Sequence, residues 1–314
     1  MFTFEMNIFI MEHFFHRVIK KSADGSHTLF LPHWQEHYHS MHGALGESVH
    51  VFIREGLDRW LGGRGTHCGA TGREGTFPAP LQGPFDLPDR EVSLDLDGLP
   101  GPFDLPDQLE LPDPGGRPGL CAQPDREVSP DLDGPTDRSG LRILEIGFGT
   151  GLNALLSLAR IMECGLCADY LALEPYPLRK GEYTRLNIPE LVAGGAYAGA
   201  YLEMHEASCT GHPITLEDRF RFRLLPLRLE ETELPADHFD LVYHDAFAPQ
   251  FQPSLWDEAA FARLYRAMRE GALLTTYSAK GSVKRAMRAV GYRVEHPPGP
   301  AGKRQMSRAI KDPG

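Results

Sequence analysis

The chain has 314 residues, 41% of them hydrophobic and 24% charged, with a formal net charge of −11. That length supplies one large domain or two small ones with ample core. The acidic total excludes a general nucleic-acid binder, and no apolar run approaches the roughly 18 residues of a membrane span. The opening MFTFEMNIFI is apolar but short and lacks a basic start and a small-residue cleavage site, so it does not read as a leader. Five Cys, with one lone CxxC at Cys164 and Cys167, read as reduced thiols of a cytoplasmic protein rather than a zinc site.

In chain order, HTLFL (27–31) predicts a strand, and residues 43–60 predict a helix with Leu45, Val49, Phe52, Ile53 and Leu57 on one face. Residues 62–140 break the pattern. They hold 13 of the 26 Pro and 14 of the 33 Gly, carry a net −9, and repeat GPFDLPD and PDREVS(L/P)DLDG. Such a stretch has little to bury against the entropy of ordering it, so it is expected to be a disordered acidic insertion.

Beyond it, LRILEI (141–146) is a strand, LNALLSLARIM (152–162) a buried helix, and DYLALE (169–174) a second strand. Residues 177–207 read as helical, and FRFRLLPL (220–227) and FDLVYHD (239–245) as further strands. An amphipathic helix over 257–268 puts Phe261, Leu264, Tyr265 and Met268 on one side. LLTTYS (273–278), a helix over 280–290, and two last strands joined by PPGPAG (297–302) complete the series, the last pair as an edge hairpin. Alternating strands and helices predict a Rossmann-like, doubly wound, mostly parallel α/β sheet. The organisation expected is an N-terminal α+β segment (1–61), the insertion (62–140) and a core (141–314).

The chemistry gathers in two places. EIGFGTGLN (145–153) is a strand–turn–helix with Gly147, Gly149 and Gly151 spaced GxGxG, where backbone can approach a ligand closely. Glu145 precedes the turn, Asn153 follows it, and Glu174 ends the second strand, where a carboxylate can take both ribose hydroxyls. This spacing resembles motif I of class I S-adenosylmethionine methyltransferases and implies S-adenosyl-L-methionine as cofactor. HDAFAPQFQPSLW (244–256) places Asp245 at the carboxyl edge of the sheet, with Phe247 and Trp256 available to line a pocket for a planar base. Pro249 ends pairing there and shapes the loop.

The combination EIGFGTGLNALLSL, LEPYPL, FDLVYHDAFAPQFQPSLW, TYSAKGSVKRAM and PGPAGKRQMSRAI, with DGSHTLFLP and EHYHSMHGALGES near the start, resembles the MnmC-type methyltransferases. The resemblance implies methylation of the 5-aminomethyl group of a modified tRNA wobble uridine. It gives Asp245 the catalytic role of orienting the amine, and Phe247 and Pro249 the wall of the entrance. Tyr277, Lys280, Lys284, Arg285, Lys303 and Arg304 are the expected contacts to the tRNA anticodon stem-loop, in keeping with the +7 charge of residues 251–314. The chain departs from the pattern in having Gln305 after the KR pair and no clear Asp in LLPLRLEETELP (224–235), where relatives contact adenine. Glu47 is a further candidate to approach the amine. His33, His37, His39 and His42 lack HExxH and a carboxylate set, so no metal is expected. Two alternatives stay open: a methyltransferase acting on a small amine, and a non-catalytic interaction protein.

Overall fold

The computed structural model of the protein describes residues 16–63 and 140–314. The acidic repeats expected to form an insertion therefore lie outside the described residues, apart from Gly62, Gly63 and Gly140 at their margins.

Strands β1 (Val18–Lys21), β2 (His27–Leu31) and β3 (Glu36–His37) form a small antiparallel sheet in the order β1-β2-β3. Ala44–Ser48 then opens a helix that continues as a π-helical run, Val49–Asp58, and closes as Arg59–Gly63; together these are α1. The predicted apolar face is real: Val49, Phe52, Ile53 and Leu57 are buried, while Leu45 is half-buried. Gly56 lets α1 lie directly on the main sheet. A Cβ there would stand 3.2 Å from the Tyr243 ring and 3.3 Å from Thr275 Oγ1.

The main sheet has eight strands in the order β10-β11-β9-β8-β4-β5-β7-β6. Its core is parallel: β4 (Leu141–Ile146), β5 (Ala168–Leu173), β7 (Phe220–Leu225), β8 (Phe239–His244) and β9 (Met268–Thr276). The expected hairpin, β10 (Arg293–Glu295) and β11 (Ser307–Ile310), is antiparallel and forms one edge. At the other edge β6 (Ile214–Leu216) is an antiparallel strand that the sequence reading passed over.

Both faces are covered, as near-continuous apolar strands require. On β4, Leu141 and Ile143 join the cluster that includes α1 and α2 (Leu152–Glu163). Leu144 and Ile146 face the other way, toward α6 (Glu258–Ala267) and α7 (Gly281–Val290). On α6, Phe261 and Leu264 are buried and Met268 follows as the first residue of β9, whereas Tyr265 is only half-buried. The long helix expected over 177–207 is instead three short ones: α3 (Lys180–Tyr183), α4 (Ile188–Leu191) and α5 (Ala198–Glu206). Pro189 starts a new helical turn, and Gly194 and Gly195 adopt positive φ, which breaks the periodic pattern. Cys167 of the lone CxxC is a free thiol.

Candidate active site

The topological switch of the sheet lies between β4 and β8, and ligands of such sheets bind outside the strands' carboxyl ends at that point. Two loops leave there side by side. Gly147 follows β4 and Asp245 follows β8, linked by Asp245 N–H donating to the Ile146 carbonyl at 2.9 Å. Gly147 has φ 91°, and a Cβ on it would lie 2.5 Å from the Asp245 carbonyl oxygen. Only glycine lets the two loops approach this closely.

Gly149 and Gly151 also have positive φ, and the turn runs into α2 with Gly151 as its N-cap. Glu174, just past β5, accepts from Gly149 N–H and Tyr176 N–H, both at 3.0 Å. It is 9% exposed, and burial raises its carboxyl above the ordinary range. This carboxylate, held beside the glycine turn by two backbone N–H groups, fits a ribosyl cofactor.

Glu145 and Asn153 sit deeper. Asn153 Nδ2 donates to Glu145 Oε1 and to Asp245 Oδ2, each at 2.9 Å. Tyr170 Oη donates to Glu145 Oε2 at 2.8 Å. Glu145 is fully buried, which pushes its carboxyl well above the usual value. Asp245 is partly exposed, and burial pushes it up to about 7, with Asn153 and Lys303 working the other way.

The loop after Asp245 builds an aromatic wall. Phe247 meets the edges of Trp34 at 5.4 Å and Tyr38 at 5.0 Å, while Trp34 stacks on Phe251 at 5.6 Å. Gln252 Oε1 accepts from Phe247 N–H, and Trp256 Nε1 donates to the Phe247 carbonyl. Trp256 is buried, so it braces this wall rather than lining a pocket as expected. Pro249 lies half-buried in the same loop. Tyr277 Oη donates to the Ala246 carbonyl at 2.8 Å.

Lys303 does not stand free on the surface. Its ammonium pairs with Glu47 and lies 4.4 Å over the Tyr277 ring. Glu47 is anchored by Ser40 N–H at 3.0 Å. The other basic candidates are outward. Lys280, Arg285 and Arg304 are exposed, Lys280 bonding to Gln250; Lys284 is half-buried and reaches Gln305 at 3.5 Å. The structure thus brings Asp245, Tyr277, Lys303 and Phe247 together and leaves Lys280, Lys284, Arg285 and Arg304 on the outside.

Sequence reasoning missed the grip of the N-terminal segment on the turn. His39 Nε2 bonds to Thr150 Oγ1 at 2.7 Å, and Tyr38 lies 3.1 Å from the Cβ position of Gly149. Arg17 donates to Tyr38 Oη, Glu182 and the Tyr176 carbonyl. Burial holds the His39 imidazole down near 4, so it is neutral. Among the described residues no cluster of three His, Cys, Asp or Glu is arranged to hold a metal. Among them too, no helix is long and apolar enough to cross a membrane.

This sheet order, with a glycine turn after the first core strand and a carboxylate after the second, is a Rossmann-like doubly wound fold with its candidate ligand site at the strand switch. Residues 215–312 match a family described as S-adenosyl-L-methionine-dependent methyltransferase. The chain is similar to the tRNA 5-methylaminomethyl-2-thiouridine biosynthesis bifunctional protein MnmC of Magnetococcus marinus, 31% identical over 178 residues, covering 54% of this chain and 26% of that protein. The MnmC of Aromatoleum aromaticum is 36% identical over 185 residues, covering 54% and 28%. The chain thus spans about a quarter of the length of these curated relatives. The crystal structure of MnmC2 from Aquifex aeolicus has the same fold, with a TM-score of 0.58 at 21% identity over 95% of this chain and 72% of that one. Over about half of its length, then, the chain is similar to MnmC proteins.

Proposed function

We propose that the protein N-methylates the 5-aminomethyl group of a modified wobble uridine in tRNA. The observation that carries this reading is Asp245. It is a carboxyl group at the strand switch, two residues before Phe247 of the aromatic wall, with its backbone against Gly147 and its side chain held by Asn153. Glu174 and the backbone of Gly147, Gly149 and Gly151 would hold the cofactor. Bound there, S-adenosylmethionine supplies an electrophilic methyl group.

The chain's own task is to present a neutral amine. A primary alkylamine, like a lysine, is protonated at neutral pH, with a pKa near ~10. Lys303, fixed over Tyr277 and paired with Glu47, favours the ionised form of Asp245 and so keeps it ready to take a proton from the amine. Asp245 accepts an N–H of the neutral amine and so aims its lone pair. After the nitrogen gains its methyl group it carries one proton too many, and the Asp245 carboxylate is placed to receive it. Phe247 and its aromatic neighbours exclude water and offer faces to a pyrimidine ring. Lys280, Lys284, Arg285 and Arg304 lie outward on α7 and the β10–β11 turn, where they suit phosphates of the anticodon stem-loop.

The test is nucleoside mass spectrometry of tRNA carrying 5-aminomethyluridine, after incubation with the protein and S-adenosylmethionine. The reading expects conversion to the methylaminomethyl nucleoside. Cofactor binding with methylation of small amines only would overturn the tRNA assignment, and binding without any turnover would overturn catalysis.

A further inference from the structure

Asn153 opens α2 directly beneath the glycine turn, is 2% exposed, and has spent its donors. An Asn amide carries two hydrogens. Here one goes to Glu145 Oε1 and the other to Asp245 Oδ2, both at 2.9 Å. Asn153 Oδ1 is buried with no partner among the described residues. Glu145, 0% exposed, accepts from Asn153 on one oxygen and from Tyr170 on the other, at 2.8 Å. Asn153 has no donor left for a ligand, and each Glu145 oxygen is already engaged within the protein, although the GxGxG context assigns both to the cofactor.

We infer that Asn153 is a positioning residue for Asp245, holding its carboxylate through a buried chain that runs Tyr170–Glu145–Asn153–Asp245. The catalytic consequence rests on the acceptor role proposed for Asp245; the chain itself is a property of the protein alone. Its elements are rigid. Tyr170 and Glu145 are on adjacent parallel strands, Asn153 is on the first turn of α2, and Asp245 ends the strand on the other side of β4. Donation from Asn153 favours the ionised form of Asp245, and the burial of that carboxyl opposes it. Other charged and titratable groups face Asp245 from each packed element: Glu47 from α1, Lys303 from the β10–β11 turn, Tyr277 after β9, Tyr170 from β5 and Glu145 from β4. All of them remain when Asn153 alone is changed.

The experiment reads Asp245 directly and needs no tRNA. The Asp245 carboxyl is titrated by infrared difference spectroscopy against an Asp245→Asn background, in the wild-type chain, in Asn153→Ala and in Asn153→Asp. The second variant keeps the side-chain shape, so it serves if alanine impairs folding. Loss of the amide donor in the first, and a third carboxyl in the second, raise the Asp245 midpoint by about one pH unit or more. The dissociation constant for S-adenosylmethionine stays within about threefold, and the acid limb of any methyl-transfer profile moves with the midpoint. An unmoved midpoint, with cofactor affinity weakened about tenfold or more, overturns the inference and returns Asn153 to the cofactor site. A shifted midpoint in a protein that methylates no tRNA leaves the buried chain standing and removes the tRNA reading alone.

Discussion

Besides its proposed role in methyl transfer, Asp245 carries a measurable cost in stability. Its carboxyl lies near 7 in the folded protein, against about 3.9 in an unfolded chain. The folded state therefore holds a proton that the unfolded state has released between those two values. Stability contributed by the protonated form is full below about pH 4 and is lost as pH rises through about 7. Asp245→Asn removes the buried charge while keeping the shape. It is expected to stabilise the protein by about 2 kcal/mol at pH 8, discounting for the partial exposure of the group, with no gain below about pH 4. Chemical denaturation of both proteins across that pH range checks the sign. A gain that is constant with pH would mean that the carboxyl titrates normally. On the proposed mechanism, the same ionisation should set the acid limb of methyl transfer near pH 7. Lys303→Met leaves Glu47 buried without its cation, and it removes a charge that lowers the Asp245 carboxyl. It should lower the rate most on the acid side of the profile, read as kcat/KM against pH.

At the scale of elements, the glycine turn and the loop after β8 act as one unit. Gly147→Ala forces a Cβ to within 2.5 Å of the Asp245 carbonyl oxygen. The loops must separate, so cofactor affinity should fall at least about tenfold together with the melting temperature. Calorimetric titration and thermal melting test this, and undiminished affinity would show that the contact is not needed. Much of this arrangement was legible in the sequence, because short apolar strands and a GxGxG turn are local patterns. The β4-turn-α2 unit, Glu174 at the end of β5, and the antiparallel edge hairpin all follow from neighbouring residues. What was not legible depends on distant residues or on short elements. The three residues of β6 are too few to show periodicity, and the breaks at Pro189 and Gly194 are hidden within an otherwise helical composition. Arg17 meets Glu182 across 165 positions, and Lys303 meets Glu47 across 256, so no spacing rule predicts either pair. For the same reason a sequence reading makes Lys303 an outward contact and Trp256 a pocket residue, whereas the fold turns both inward.

For the whole molecule, charge and connectivity carry the argument. The net charge is −11, yet residues 251–314 carry +7, and Lys280, Lys284, Arg285 and Arg304 hold part of that charge outward, so a polyanion is expected on that side. Arg285→Ala and Arg304→Ala, both at exposed positions, should each reduce the slope of log affinity for tRNA against log salt by up to about 1. Cofactor affinity should stay unchanged, and filter binding at several salt concentrations reads the slope. The N-terminal segment belongs to the same packed body as the core, since Val51, Phe52, Ile53 and Leu57 share a cluster with Leu152 and Leu155. Cleavage at a protease site engineered between residues 64 and 139 should therefore leave the two pieces co-eluting and able to bind S-adenosylmethionine. Pieces that separate would contradict that account. The most direct test of the central claim is transfer of labelled methyl from S-adenosylmethionine into tRNA from cells lacking the modification, comparing wild type with Asp245→Asn. The prediction is label in the wobble uridine, reduced about 100-fold or more in the variant while cofactor affinity holds. Label that persists in the variant, or no label in any tRNA from a wild-type protein that binds the cofactor, would contradict it.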